Sequence, residues 1–108
     1  MKKFLVLYRS TSSAMDQIKN STPEQRKTGM DMWMTWSKKA GHALLDMGSP
    51  LTEAAHLQGK PGSGFIGGYS IVQAENVDAA RRIFEGHPHF MAPGASIEIL
   101  EMLSMSGS

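Results

Sequence analysis

Four histidines in a chain without cysteine mark where acid-base or metal chemistry could be done. Two of them flank Pro88 in the stretch Gly86-His87-Pro88-His89-Phe90-Met91-Ala92-Pro93-Gly94. A neutral imidazole exchanges a proton near pH 7, which suits general acid-base work on a small substrate. The prolines and glycines constrain the backbone, so the two rings either diverge or approach one pocket. His87 follows a helix end, where the exposed carbonyls attract a cation, and that alone accounts for a histidine there. His89 has no such explanation and is the leading catalytic candidate, with His87 and Asp46 beside it. Asp46 or Glu98 would orient the imidazole, although an Asp ahead of the turn Gly48-Ser49-Pro50 also serves as a turn cap. Tyr8 and Arg9 end an apolar run and could offer a hydroxyl and a cation to an acidic ligand; Arg9 could equally form a surface ion pair. Trp33, Trp36, Phe90 and neighbouring methionines supply apolar walls for the same ligand.

Metal binding by His87 and His89 needs a third ligand from His42, His56, Asp46 or Glu98, because two do not close a site. The reading therefore assigns no metal and no cofactor. The absence of cysteine excludes disulfides, thiolate nucleophiles and zinc-thiolate sites, and fits a cytoplasmic location. A formal charge of +1 and basic residues in separated pairs (Lys2-Lys3, Arg26-Lys27, Lys38-Lys39, Arg81-Arg82) give no basic stripe with interleaved aromatics, so nucleic acid is not an expected partner. The 108 residues make one domain, of 41% hydrophobic and 19% charged composition, typical of a soluble globular protein. Nine methionines read as plastic core filler or as an adaptable ligand surface. The apolar run after Lys2-Lys3 stops at Arg9, too short for a secretory signal core, and no stretch approaches a membrane span.

These side chains must be carried by elements that the pattern also predicts. Phe4, Val6 and Tyr8 alternate with Leu5 and Leu7, apolar on both faces, as expected of a central strand. Residues 10–21 read as a loop with one helical turn at most. Thr22, Pro23 and Gln25 are the N-cap, first residue and capping-box partner of a helix. At about 100° per residue, Met30, Met32, Trp33, Met34, Trp36 and Ala40 fill an arc of roughly 200°, with Arg26 and Ser37 inside it. That surplus of apolar surface asks for a partner subunit, a ligand pocket between helix and sheet, or deep packing. Gly41 ends the helix, and a short strand spans 42–47. Residues 51–57 add an extended segment, and 58–63 form a flexible connection.

Gly67 and Gly68 open a strand from Tyr69 to Ala74. Asn76 caps a second helix, with an i, i+4 pair of Asp78 and Arg82, which Gly86 and Pro88 terminate. A last strand runs from about Ala95 to Met102, Ile97 and Ile99 on one face, and 104–108 fray. The order strand, helix, strand, strand, helix, strand is that of an α+β, ferredoxin-like split βαβ domain: an antiparallel sheet with two helices on one face. The other sheet face is left bare, and a homodimer would cover it.

Several short signatures occur together in this frame: Lys3-Phe4-Leu5-Val6-Leu7-Tyr8, Gly41 through Gly48-Ser49-Pro50-Leu51, Gly67-Gly68-Tyr69, Asp78-Ala79-Ala80, His87-Pro88-His89 and Ile97-Glu98-Ile99. In this order and spacing they resemble the YCII-related family, including its DGPF-type branch, over nearly the whole chain. Ser63-Gly64-Phe65 stands about where that branch has its Asp-Gly-Pro-Phe motif. The resemblance implies a dimeric α+β barrel, a pocket between the first helix and the sheet, and chemistry by a histidine-aspartate pair, some members resembling dehydrochlorinases. The first helix, where the family's histidine is expected, offers Asp31, Trp33 and Trp36 instead. Two functions are then open: an enzyme using His89 on a small apolar or aromatic substrate, or a ligand-binding or sensor module without turnover. A dimeric accessory domain without a ligand is the third.

Overall fold

The computed structural model describes residues 1–60, 62–92 and 94–105; Pro61, Pro93 and three residues of the expected frayed tail lie outside the described residues. The elements in order are β1 (Lys2–Ser10), α1 (Ala14–Lys19), α2 (Pro23–Ala40), a 3-10 turn (Gly41–Ala43), β2 (Leu44–Asp46), β3 (Phe65–Ala74), α3 (Val77–Ile83), a second 3-10 turn (Pro88–Met91) and β4 (Ser96–Glu101). The four strands form an antiparallel sheet in the order β2-β3-β1-β4. This is an α+β architecture compatible with a ferredoxin-like fold.

β1 is central, as its two apolar faces predict. Phe4, Val6, Tyr8 and Ser10 are buried, while Leu5, Leu7 and Arg9 alternate with them on the opposite face. Val72, Ser70 and Gly68 of β3 and Ile99 and Ile97 of β4 stand opposite Phe4, Val6 and Tyr8 in the register, which places them on the buried face too. Trp36 of α2, Ala80 of α3 and Phe84 close the core over that face. The Trp36 indole N–H donates to the Ile83 carbonyl at 2.9 Å and ties α2 to the end of α3. Both helices thus cover one side of the sheet, and among the described residues no helix packs over the side bearing Leu5, Leu7, Ile71 and Leu100.

The capping signals form as the residue types require. The Thr22 side chain accepts from the Gln25 N–H, and the Gln25 side chain accepts from the Thr22 N–H. Asn76 caps α3 through the Ala79 N–H at 2.8 Å. Where the structure departs from the pattern, short elements are responsible. Residues 10–21 contain a full helix, α1, six residues long with Ser13 as its N-cap; so short a segment has too few apolar positions to show a period. The strand expected over 42–47 shrinks to three residues because Gly41–Ala43 continue as a 3-10 turn. β3 begins at Phe65 and absorbs Gly67 and Gly68 through a register shift against β1 at Tyr8/Arg9. Of 51–57, Leu51 is tied to β3, its N–H donating to the Gly67 carbonyl at 3.0 Å beside the Pro50–Gly68 bridge, while His56 meets Glu53 at 3.5 Å and the Gly59 carbonyl at 3.2 Å within the connection itself. Asp78 pairs with Arg81, at 3.9 Å, rather than with Arg82.

The turn after β2 is held rigidly against β3. Asp46 accepts from the Gly48 N–H at 2.8 Å, and Gly48 takes φ 78°, a left-handed conformation. A Cβ at Gly48 would run into the Tyr69 carbonyl, whereas one at Gly86, whose φ is also positive at 69°, would meet nothing. Gly86→Ala is therefore expected to cost about 1 kcal/mol, the backbone strain alone, and Gly48→Ala roughly 3 kcal/mol because β3 must also move. Urea unfolding of the two variants checks the difference; equal losses would contradict the steric account.

Candidate functional site

The stretch after α3 is organised by His87. Gly86 ends the turn with a positive φ, the His87 N–H donates to the Phe84 carbonyl at 3.2 Å, and the ring folds into the core, 2% exposed. Its Nδ1 accepts from the His89 N–H at 2.9 Å, so the imidazole caps the 3-10 turn in the place usually taken by a Ser or Asp oxygen. Pro88 follows at the first position, where its missing N–H is harmless. With Nδ1 accepting, the neutral ring carries its proton on Nε2. That nitrogen is buried with no hydrogen-bond partner among the described residues. It sits among rings: Trp36 at 4.3 Å and Trp33 at 4.4 Å between centroids, both steeply inclined, and Tyr8 stacked at 5.1 Å. An N–H offered to a ring face is a weaker partner than a carbonyl. Burial, and secondarily the nearby His89, push the His87 pKa down from 6.5 to about 4.

His89 is placed by that cap and by its own ring. Its Nε2 lies 2.8 Å from the Arg9 carbonyl and 3.1 Å from the Ser96 carbonyl, the residues of the last β1–β4 pair. Two carbonyl acceptors require Nε2 to carry a proton, so the neutral tautomer they select is the one with its lone pair on Nδ1. The ring meets Tyr8 edge-on at 5.3 Å. Tyr8 itself is spoken for: its hydroxyl donates to Ser70 Oγ at 2.7 Å, and Ser70 Oγ donates to the Met47 carbonyl at 2.8 Å. Burial, partly offset by the Ser70 hydrogen bond, pushes the Tyr8 pKa up to about 12, so the phenol stays protonated.

Above Tyr8 and His89 lies a cavity of about 650 Å³ between the sheet and the first two helices. Tyr8, Gly67 and Gly68 come from the sheet; Met30, Trp33 and Met34 from α2; Ala14, Gln17 and Ile18 from α1; Met47 to Pro50 from the turn after β2; and Pro88, His89 and Ala92 from the second 3-10 turn and its end. Part of the wide apolar arc of α2 is explained here, Met32 lying outside this lining. Trp36 goes to the core, while Met30 and Met34 remain 60% and 45% exposed, facing the cavity rather than packed protein. At the α1 end, Gln17 Nε2 donates to Ser10 Oγ at 2.8 Å and to the Ser12 carbonyl at 3.1 Å.

The residues expected to form a site therefore separate. Tyr8, Trp33 and His89 share the cavity; His87 and Trp36 lie behind it in the core. Arg9 sits one residue from Tyr8 on a strand and so on the other face, where its Nε donates to Glu98 Oε1 at 3.1 Å. Asp46 caps Gly48 and meets the Tyr69 hydroxyl at 3.4 Å, and Phe90 is 54% exposed; neither lines the cavity. Glu98 and Asp46 thus stand where they cannot orient His89, and backbone carbonyls do so in their stead. His42 and His56 lie on other segments, and among the described residues no group of three His, Asp or Glu side chains is placed to hold a metal. Sequence reasoning missed Gln17, Arg26, Met47 and the glycine pair as lining; only Arg26 carried a signal, its position inside the apolar arc of α2.

No protein-family model matches the chain, and no curated protein matches it either.

The depressed His87 pKa makes stability depend on pH. The unfolded ring binds a proton more tightly than the folded one, so the stabilisation from keeping His87 neutral is whole above about pH 6.5 and is lost as pH falls from there to about 4. The loss is on the order of 3 kcal/mol. His87→Asn keeps an acceptor for the His89 N–H and removes the titration, so its urea stability should fall less than that of the wild type over this interval. Parallel pH profiles would contradict the assignment.

Proposed function

We propose that the cavity binds a small apolar or aromatic molecule and that His89 is the acid-base group presented to it, in a homodimer of the YCII-related, dimeric α+β barrel type. The observation that carries this reading is the fixed tautomer of His89 at the cavity wall. Its Nε2–H is held by the Arg9 and Ser96 carbonyls, so in the neutral ring Nδ1 is the nitrogen left to accept a proton, on a residue that lines the cavity. The apolar walls of Trp33, Met30 and Met34 suit an aromatic or aliphatic body, and methionines adapt to its shape. A ligand-binding or sensor module without turnover is favoured by a different observation: among the described residues no Asp or Glu lines the cavity to stabilise an imidazolium. Homodimer formation is supported by the bare sheet face, where Leu5 stands between Ile71 and Leu100 in the register. Among the described residues no helix is long and apolar enough to cross a membrane.

His89→Gln separates the readings. Glutamine keeps an N–H for the two carbonyls but has no titratable nitrogen. For the enzyme, turnover of a converted compound from an aromatic panel, followed by NMR, should fall roughly 10²- to 10⁴-fold while Kd from tryptophan fluorescence stays nearly unchanged. Binding without turnover in the wild type supports the module, and a fluorescence signal unmoved by the whole panel would leave only the accessory domain. Leu5→Glu places a charge in the centre of the bare sheet face and should convert the dimer to monomer in sedimentation experiments, with the secondary structure unchanged; a wild type that is monomeric at every concentration sinks the homodimer.

A further inference from the structure

Resting on the reading of the cavity as a ligand site, we propose that its ligand is a small apolar or aromatic carboxylate and that Arg26 holds the carboxylate group. Among the described residues the cavity lining contains no Asp or Glu, and Arg26 is the one lysine or arginine in it. Arg26 stands in the early part of α2, on the same arc as Met30, Trp33 and Met34. Its Nη1 donates to the Ser21 carbonyl at 2.7 Å and to the Ile18 carbonyl at 3.2 Å, closing the C-terminal end of α1.

Those bonds fix the guanidinium against α1 while leaving most of its donors unused. A guanidinium has five N–H groups, and Nε and Nη2 of Arg26 have no partner among the described residues. Arg9 and Arg81 are paired with Glu98 and Asp78, whereas Arg82, like Arg26, has no carboxylate partner among the described residues. Arg26 is an exposed residue of that lining, so water suffices to balance its charge; capping α1 explains where Nη1 goes and leaves the other N–H groups to meet a ligand. Gln25 adds a second donor beside it. Its Oε1 is occupied by the Thr22 N–H at 2.9 Å, so its amide N–H₂ is what it can offer, and it too lines the cavity. A planar carboxylate matches the fork of a held guanidinium, and the apolar walls take the rest of the molecule.

The test is calorimetric titration of the full chain with 3-phenylpropionate and with its neutral isostere 3-phenylpropanamide. The acid is expected to bind at least about tenfold more tightly, with an advantage that shrinks as salt is raised. Arg26→Gln should bring the affinity for the acid down to that for the amide and leave the amide unchanged. Arg26→Lys, which keeps the charge without the planar fork, should retain part of the preference. Thermal unfolding of each variant verifies that the α1 cap has not been lost with the fold; should Arg26→Gln not fold, the comparison rests on Arg26→Lys and on the salt dependence. Equal binding of acid and amide by the wild type, or a preference that survives in Arg26→Gln, overturns the carboxylate while the cavity stands. Failure of both probes to bind removes the cavity reading, and the inference with it.

Discussion

The structure depends on a histidine that is kept neutral inside a box of aromatic rings. Tyr8 belongs to the central strand, Trp33 and Trp36 to the long helix, Phe84 to the end of the second covering helix, and all of them meet the His87 ring. The sheet, α2 and α3 are therefore joined at one point. An apolar side chain could fill that space, but it could not accept the His89 N–H. This hydrogen bond sets the turn that delivers His89 to the open end of the β1–β4 ladder, where its ring closes two carbonyls. The cost is a buried Nε2 with no oxygen or nitrogen partner among the described residues, a group whose desolvation is worth on the order of 1–3 kcal/mol. Ring faces offset part of it, and the dense aromatic packing supplies more.

His87 and His89 thus divide two duties that the sequence presents together. One is a cap and a core residue; the other is held by the first and stands at the cavity. Neighbouring positions in the His-Pro-His run are what make this possible, since an imidazole at the cap can reach the N–H two residues on, as Asx and Ser caps do. The explanation of His87 as a helix-end residue is close in place but not in chemistry: the ring does not sit over α3 carbonyls as a cation, it is neutral and turned inward.

The elements with strong local chemistry were legible: the Thr22–Gln25 capping box, the Asn76 cap, the helix stop at Gly86 and the alternation of β1 each rest on residues near in sequence. Short elements were less so: α1 forms where a loop with one helical turn at most is expected, and β2 fills only 44–46 of the strand expected over 42–47, since both draw their order from tertiary neighbours rather than from a period of their own. At the candidate site the limits were of two kinds. Trp33 and Trp36 lie within one arc of α2, and only the position of α3, with the Ile83 carbonyl waiting for an indole N–H, decides that Trp36 is core and Trp33 is wall. Tyr8 and Arg9 are a different matter. Adjacent strand residues point to opposite faces, so one pocket could never have used both side chains, and the alternation already visible in Phe4 to Tyr8 contained that answer.

Among the described residues, the sheet face and the α2 face each leave an apolar surface without protein packed over it, and their chemistry differs. On the bare sheet face, Leu5, Leu7 and Ile71 are held by strands on either side and are only partly exposed. Such a surface is rigid and flat, and a second flat surface is what buries it without further loss of conformational freedom. The α2 surface is concave and built from long unbranched side chains, with Met30, Met34 and Met47 around Trp33 and a polar margin at Gln17 and Arg26. Methionines rearrange at little cost and leave room whose shape is not fixed in advance, which suits occupants smaller than a protein surface. The same core generates both surfaces. By drawing Trp36 inward and leaving Trp33 at the edge, the aromatic box around His87 holds α2 over one part of the sheet and leaves a gap over another, where the glycines at 67 and 68 keep the floor low. A gap of that form, walled by thioethers and an indole and bordered by one held imidazole, is a consequence of how the core is tied rather than a defect in its packing.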